Sequence, residues 1–301
     1  MVVSALKSLK IPLKVKKEFE MGNNFFLQGH FHDARIYYDR AIAVDSDCTP
    51  AWIARGHTLA ALNLLDDALA SFEKALELDP KNADAWTNHG VLASRLGRLE
   101  EAFASYQQAL TQNPRHSDGW YNHGILCEEC GMIRDALMSY DSALAANSKN
   151  PQIWYSRGTA FARCGLFEEA LASLDNAIAI DPAYASAWNN RGIVLGLMGR
   201  DNEATAAFRE SIALDPDQSE VWNNHGILLV KTGDREGAAF AFEHALRLDP
   251  ENAEAAENQR LLRDAHKTGA VTGPDDDAVV ICEPAAKRDV GVFSQSGHLH
   301  S

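Results

Sequence analysis

The sequence predicts an all-α solenoid of seven tandem 34-residue repeats, and three recurrences predict it. All six tryptophans, Trp52, Trp86, Trp120, Trp154, Trp188 and Trp222, stand 34 residues apart. With tryptophan counted as the fourth residue of a repeat, the eighth is always glycine: Gly22, Gly56, Gly90, Gly124, Gly158, Gly192 and Gly226. The twentieth is always alanine: Ala34, Ala68, Ala102, Ala136, Ala170, Ala204 and Ala238.

The repeats therefore run 15–48, 49–82, 83–116, 117–150, 151–184, 185–218 and 219–252. The first carries Glu18 in the tryptophan's place and reads as a divergent terminal repeat. Glycine in a helix costs ~1 kcal/mol against alanine, so its recurrence there predicts two helices too close together for a side chain. Position 24 is aromatic or leucine (Tyr38, Phe72, Tyr106, Tyr140, Leu174, Phe208, Phe242), four residues beyond the alanine, on one face of a second helix.

Punctuation between the helices agrees. Gly97, Gly131, Gly165, Gly199 and Gly233 suit the left-handed conformation that ends a first helix. Acidic pairs such as Asp66-Asp67, Glu100-Glu101 and Glu168-Glu169 suit the positive end of the second. Pro80, Pro114, Pro182, Pro216 and Pro250 stop it, with Ser46 and Ser148 in two repeats. Residues 253–267 read as a polar-faced capping helix, 1–14 as a basic extension, and 268–301 as a disordered or weakly docked tail whose only apolar run is Val279 to Ile281.

This Trp, Gly, Ala, aromatic and Pro pattern resembles the tetratricopeptide repeat family over about four-fifths of the chain. The resemblance implies antiparallel helix pairs in a right-handed superhelix, with a concave groove lined by first helices. It also implies a protein-binding adaptor. A self-assembling scaffold joined through solenoid ends or tails is the alternative.

Composition narrows the partners. A formal charge of −14 repels polyanions, which excludes nucleic acid and anionic membranes as expected partners. Lysines break up the apolar stretches of the N-terminus, so neither a secretory core nor a membrane span is expected, and the five cysteines are too few for a disulfide framework. A cytoplasmic protein is the expectation. No phosphate loop, nucleophile motif or paired metal-ligand motif is present, so neither catalysis, cofactor nor metal is expected. Cys127 and Cys130 form a Cys-x-x-Cys within a first helix and are expected to be buried structural thiols; Cys164 repeats the position of Cys130, and with no second Cys-x-x-Cys no zinc site is expected. His298 and His300 read as part of a solvated tail.

Two columns hold the candidate binding residues. Position 6 is Asn88, Asn122, Ser156, Asn190 and Asn224, about 160° around the helix from positions 4, 8 and 11, which predicts an outward-facing stripe. Val91, Ile125, Ile193 and Ile227 edge this stripe and Tyr121 and Tyr155 flank it, and β-branched residues there predict that the stripe both packs against the next first helix and lines a groove. The asparagine column resembles that in the superhelix of O-linked N-acetylglucosamine transferases, which implies a grip on the backbone of an extended peptide, here without the catalytic domain. Asp84, Asp118, Ser186 and Glu220 stand where the dicarboxylate clamp of chaperone-binding members needs lysine and arginine. Position 7 is Arg55, His89, His123, Arg157, Arg191 and His225, expected to snorkel beside the tryptophans, the other reading being contact with acidic partner groups.

Overall fold

The computed structural model describes residues 12–268, with side chains up to 264; the calls on Val279 to Ile281, on His298 and His300, and on the first eleven residues lie outside the described residues. Fifteen helices and no strand are present among them. First helices are α1 (Leu13–Leu27), α3 (Thr49–Ala61), α5 (Ala83–Arg95), α7 (Ser117–Glu129), α9 (Pro151–Arg163), α11 (Ala185–Leu197) and α13 (Ser219–Lys231). Second helices are α2 (Phe31–Val44), α4 (Leu65–Leu78), α6 (Leu99–Gln112), α8 (Ile133–Ala146), α10 (Phe167–Ile180), α12 (Asp201–Leu214) and α14 (Arg235–Leu248), and α15 (Ala253–Thr268) follows. The helices of a repeat are antiparallel partners. The chain divides into two compact units, one holding α1 to α8 and the other α9 to α15.

Each first helix ends because one residue turns left-handed. Gly29, Gly97, Gly131, Gly165, Gly199 and Gly233 take φ between 73° and 86°, and Asn63 takes 58° where the second repeat has no glycine. Asparagine is the residue that best substitutes there. The acidic pairs fall in the first turn of α4, α6 and α10, beside unpaired backbone amides. At the repeat junctions an aspartate or asparagine accepts the amide two residues on, as Asp79 does from Lys81 and Asp181 from Ala183. That local bond competes with helix and fixes the turn.

The core lies between paired helices. A Cβ built on Gly22, Gly90, Gly124 or Gly226 would lie 2.6 Å from the position-24 ring of its own repeat, and Gly56, Gly158 and Gly192 are as restricted, against Phe72, Leu174 and Phe208. The position-20 alanines are fully buried in the same seams. Each buried ring is of the kind whose truncation to alanine costs about 3–5 kcal/mol.

Tryptophan joins one repeat to the next. The indole Nε1 of Trp86, Trp120, Trp188 and Trp222 donates to the carbonyl of the proline six residues earlier, at 2.9–3.0 Å, and Trp52 does the same to Ser46 at 2.8 Å. The proline that ends one repeat thus offers the acceptor that seats the next.

Candidate functional site

The position-7 column is a set of clasps. Arg55 and Arg157 donate to the hydroxyls of Ser71 and Ser173, 16 residues on in the second helix, at 2.7 and 2.9 Å. The Nδ1 atoms of His89 and His123 lie 2.9 Å from the corresponding Ser105 and Ser139 hydroxyls. Every one of these serines donates its own hydrogen to the carbonyl four residues back. A serine has one hydrogen to give, so each histidine must hold its proton on Nδ1 to make this bond.

The same column reaches back one repeat. Arg55 Nε meets Asp39 at 2.6 Å and Arg191 Nε meets Asp175 at 2.7 Å, both acids at position 25 of the preceding repeat. The guanidinium carbons of Arg55, Arg157 and Arg191 sit 5.6–5.7 Å from the tryptophan ring centroids three residues before, within cation–π range. The last repeat lacks the serine, and both ring nitrogens of the buried His225 have no hydrogen-bond partner among the described residues. Burial holds His89, His123 and His225 below the ordinary histidine value, so their rings favour the neutral form.

Position 6 packs against the next first helix, as expected, but corrects the expectation that the stripe is also an exposed face. Asn88 and Asn122 are 1% exposed, Ser156 and Asn190 are buried, and Asn224 alone is half-buried. Val91, Tyr121 and Ile227 are buried too, whereas Ile125, Tyr155 and Ile193 are half-buried. The physical reason is the neighbouring first helix. A direction that leaves the core of its own repeat points into the next one, because α5 packs on α7, α9 on α11, α11 on α13 and α13 on α15.

In the second compact unit these amides form a lateral relay. Asn224 donates to Asn189 at 3.2 Å, Asn189 to Asn190 at 3.2 Å, Asn190 to the Thr159 hydroxyl at 3.1 Å, and Thr159 to the Tyr155 carbonyl at 3.1 Å. Asn258 continues the column on α15, donating to Asn223 at 3.0 Å. The sequence reading missed Asn258, although it stands 34 residues after Asn224. In the first compact unit Asn122 donates to the Asp118 carbonyl of its own helix at 2.8 Å.

Beside the relay, Thr159, Ala162, Leu174, Asn190, Ile193, Val194 and Leu197 line a shallow hollow between α9 and α11. Its lining is apolar except for the Thr159 hydroxyl and the Asn190 amide, and Leu197 stands exposed at its edge. Its cavity of about 20 Å³ admits a methyl-sized group beside a fixed polar pair.

The cysteines divide. Cys127 is buried and its thiol is pushed up to about 12, chiefly by burial, so it is inert. Cys130, expected to be buried, is exposed, and so is Cys164 at the same position of the next repeat. They are the C-cap residues of α7 and α9, one step past the last core-facing turn.

The models of the tetratricopeptide repeat match residues 19–83, 53–117, 185–218 and 219–252, and that of the TPR repeat matches 158–199, together well over half of the chain. No curated protein matches the sequence. Among solved structures, the chain resembles YrrB, described as a TPR protein with an unusual peptide-binding site, at 25% identity and a TM-score of 0.54, over 63% of this chain and 97% of that one. It also resembles a tetratricopeptide repeat protein from Parabacteroides merdae, at 20% identity and a TM-score of 0.62, over 84% of this chain and all of that one. The APC/C hetero-tetramer Cut9-Hcn1 is similar in fold at 16% identity and a TM-score of 0.64, over 77% of this chain and 48% of that one. No described helix is long and apolar enough to cross a membrane. With the repeat matched in both compact units and the helix pairs built as the repeat demands, the chain belongs to the tetratricopeptide repeat family, a scaffold of the protein-interaction kind.

Proposed function

We propose that this chain is a non-catalytic adaptor that receives an extended segment of a partner protein on its first-helix face. The observation that carries this reading is the hollow between α9 and α11, where an exposed leucine edge, Ile193 and Ala162 surround the Thr159 and Asn190 polar pair. A methyl group of a bound side chain would enter the hollow while the partner's backbone uses the amide hydrogen and lone pair of Asn190 that the relay leaves over. The peptide-binding site named for YrrB supports the same class of ligand. Asn224, Ile193 and Tyr155, which keep partial exposure, belong to this face. Asn88, Asn122, Ser156, Val91, Tyr121, Ile125 and Ile227 enter this proposal as the residues that hold neighbouring first helices in register, with the column's amides ordered for contact rather than fully spread before it.

The test is selection of a displayed random-peptide library on the full-length protein, followed by fluorescence anisotropy of the enriched peptides. Leu197→Glu, a change at an exposed position, is expected to weaken them at least tenfold, and Asn190→Ala severalfold. Failure to enrich any peptide, or equal affinity in both variants, overturns the reading.

A further inference from the structure

Where the second and third repeats meet, a histidine and two glutamates from three different helices converge. His89 on α5 aims Nε2 at Glu101 Oε1 of α6, 3.6 Å away, and at Glu73 Oε1 of α4, 4.0 Å away. Both separations exceed a hydrogen bond. One ligand atom from each of the three residues lies within 4.8 Å of the other two, the only such grouping among the described residues.

The opposite edge of the ring decides what Nε2 can offer. Ser105 gives its hydrogen to the Glu101 carbonyl at 2.7 Å, so its oxygen accepts from His89 Nδ1 at 2.9 Å. The proton of the neutral ring is therefore on Nδ1, and a lone pair on Nε2 faces two carboxylates. His89 as a whole is only 6% exposed, so the ring is held in place. Elsewhere in the column the acid at position 25 receives a permanent cation, as Asp39 does from Arg55 and Asp175 from Arg191. His123 and His225 have Gln107 and Arg209 at that place, so among the column's histidines His89 alone follows an acid there. Here a cation is called for and the protein supplies ligands instead.

We propose that Glu73, His89 and Glu101 form a binding site for a borderline divalent metal ion, of the zinc class, clasping the second and third repeats. One imidazole nitrogen with carboxylate oxygens is a usual donor set for such ions, which sit about 2.0–2.2 Å from each. A tetrahedral ion needs its donors roughly 3.3 Å apart, by that geometry, so Glu101 must close on the imidazole by about 0.3 Å and Glu73 by about 0.7 Å. Glu73 and Glu101 are 54% and 37% exposed, which leaves them free to do so and leaves a path from solvent and a place for water as fourth ligand. Ser105 is the outer partner that orients the ring. Arg98 lies 3.9 Å from Glu101, but at Oε2 rather than the Oε1 that is near His89, and its closer bond is to Asp66 at 2.7 Å. The three ligands lie 16 and 12 residues apart in sequence, so no short metal motif announces them.

The experiment is a Zn²⁺ titration of the full-length protein at pH 7.5 against a chromophoric chelator, repeated with Glu73→Gln and Glu101→Gln. Both changes keep side-chain size at exposed positions, and circular dichroism checks the fold. The wild type is expected to hold one more equivalent of tightly bound zinc than either variant, or to bind it at least tenfold more tightly. Zinc is expected to raise the melting temperature of the wild type and not of the variants. The cysteines and the histidines near the C-terminus are common to all three proteins, so zinc held only there gives identical titrations. Identical titrations overturn the proposal, as does zinc binding lost in Cys130→Ser but kept in Glu73→Gln.

Discussion

Gly124 and Tyr140 meet without room for a methyl group: a Cβ on Gly124 would lie 2.6 Å from Cε1 of the tyrosine ring. The ring is fully buried and its hydroxyl bonds to Glu128, so it cannot swing aside. Gly124→Ala should therefore cost about 1–3 kcal/mol as overpacking and lower the melting temperature. Gly196, also in a first helix, is the contrast, because its Cβ would find only Leu228 Cδ1 at 3.7 Å. Gly196→Ala should stabilise by about 0.5–1 kcal/mol. Equal shifts of the same sign in the two thermal melts would contradict this packing.

The buried amide relay changes what alanine does to position 6. An exposed ladder would tolerate removal of Asn88, Asn122, Asn190 and Asn224 with helices intact. Because Asn190 joins Asn189 to Thr159, and Asn88 and Asn122 are almost wholly enclosed, the quadruple variant should unfold at lower urea. Asn190→Ala alone should cost about 1–3 kcal/mol, the penalty of leaving buried partners unpaired. Urea melts followed by circular dichroism measure it, and an unchanged midpoint would return these residues to the surface.

Acid should weaken the first compact unit through His57. Its ring packs edge-to-face on Phe72 at 5.2 Å, and burial lowers it from 6.5 to about 4 against the smaller opposing pull of Asp84. The unfolded chain takes up this proton below pH 6.5 while the folded chain resists until about pH 4. Stability is thus complete above pH 6.5 and falls as pH drops through that window. His57→Gln, which cannot titrate, should show a smaller fall in melting temperature between pH 7 and pH 5 than the wild type.

Trp120 Nε1 donates to the Pro114 carbonyl at 2.9 Å across the junction of the third and fourth repeats. Trp120→Phe keeps an aromatic ring and loses that bond, so a loss of about 0.5–1.5 kcal/mol is expected. A melting temperature equal to the wild type's would mean that ring packing alone seats the repeat.

His225→Leu should be neutral or stabilising, since both nitrogens of this buried ring lack a hydrogen-bond partner among the described residues and an apolar side chain leaves none to satisfy. A large drop in melting temperature would reveal a bond that the ring makes in solution.

Local chemistry was legible in the sequence because its causes are local. A glycine at every eighth place, a left-handed residue after each first helix and acids in the second helix's first turn each act within one repeat, and a 34-residue period multiplies them until chance is excluded. That the outward stripe packs on the next first helix was legible, but how completely each amide is enclosed there was not. A helical wheel gives the angle of Asn88 or Asn190 to the core of its own repeat; only the stacking of first helices decides how far the opposite direction is interior as well. Cys130 escaped for a related reason, since where a helix ends turns a core-like position into an exposed cap. Glu73, His89 and Glu101 come from two repeats and three helices, and in a solenoid such neighbours are made by the seam between repeats, which only the tertiary structure supplies.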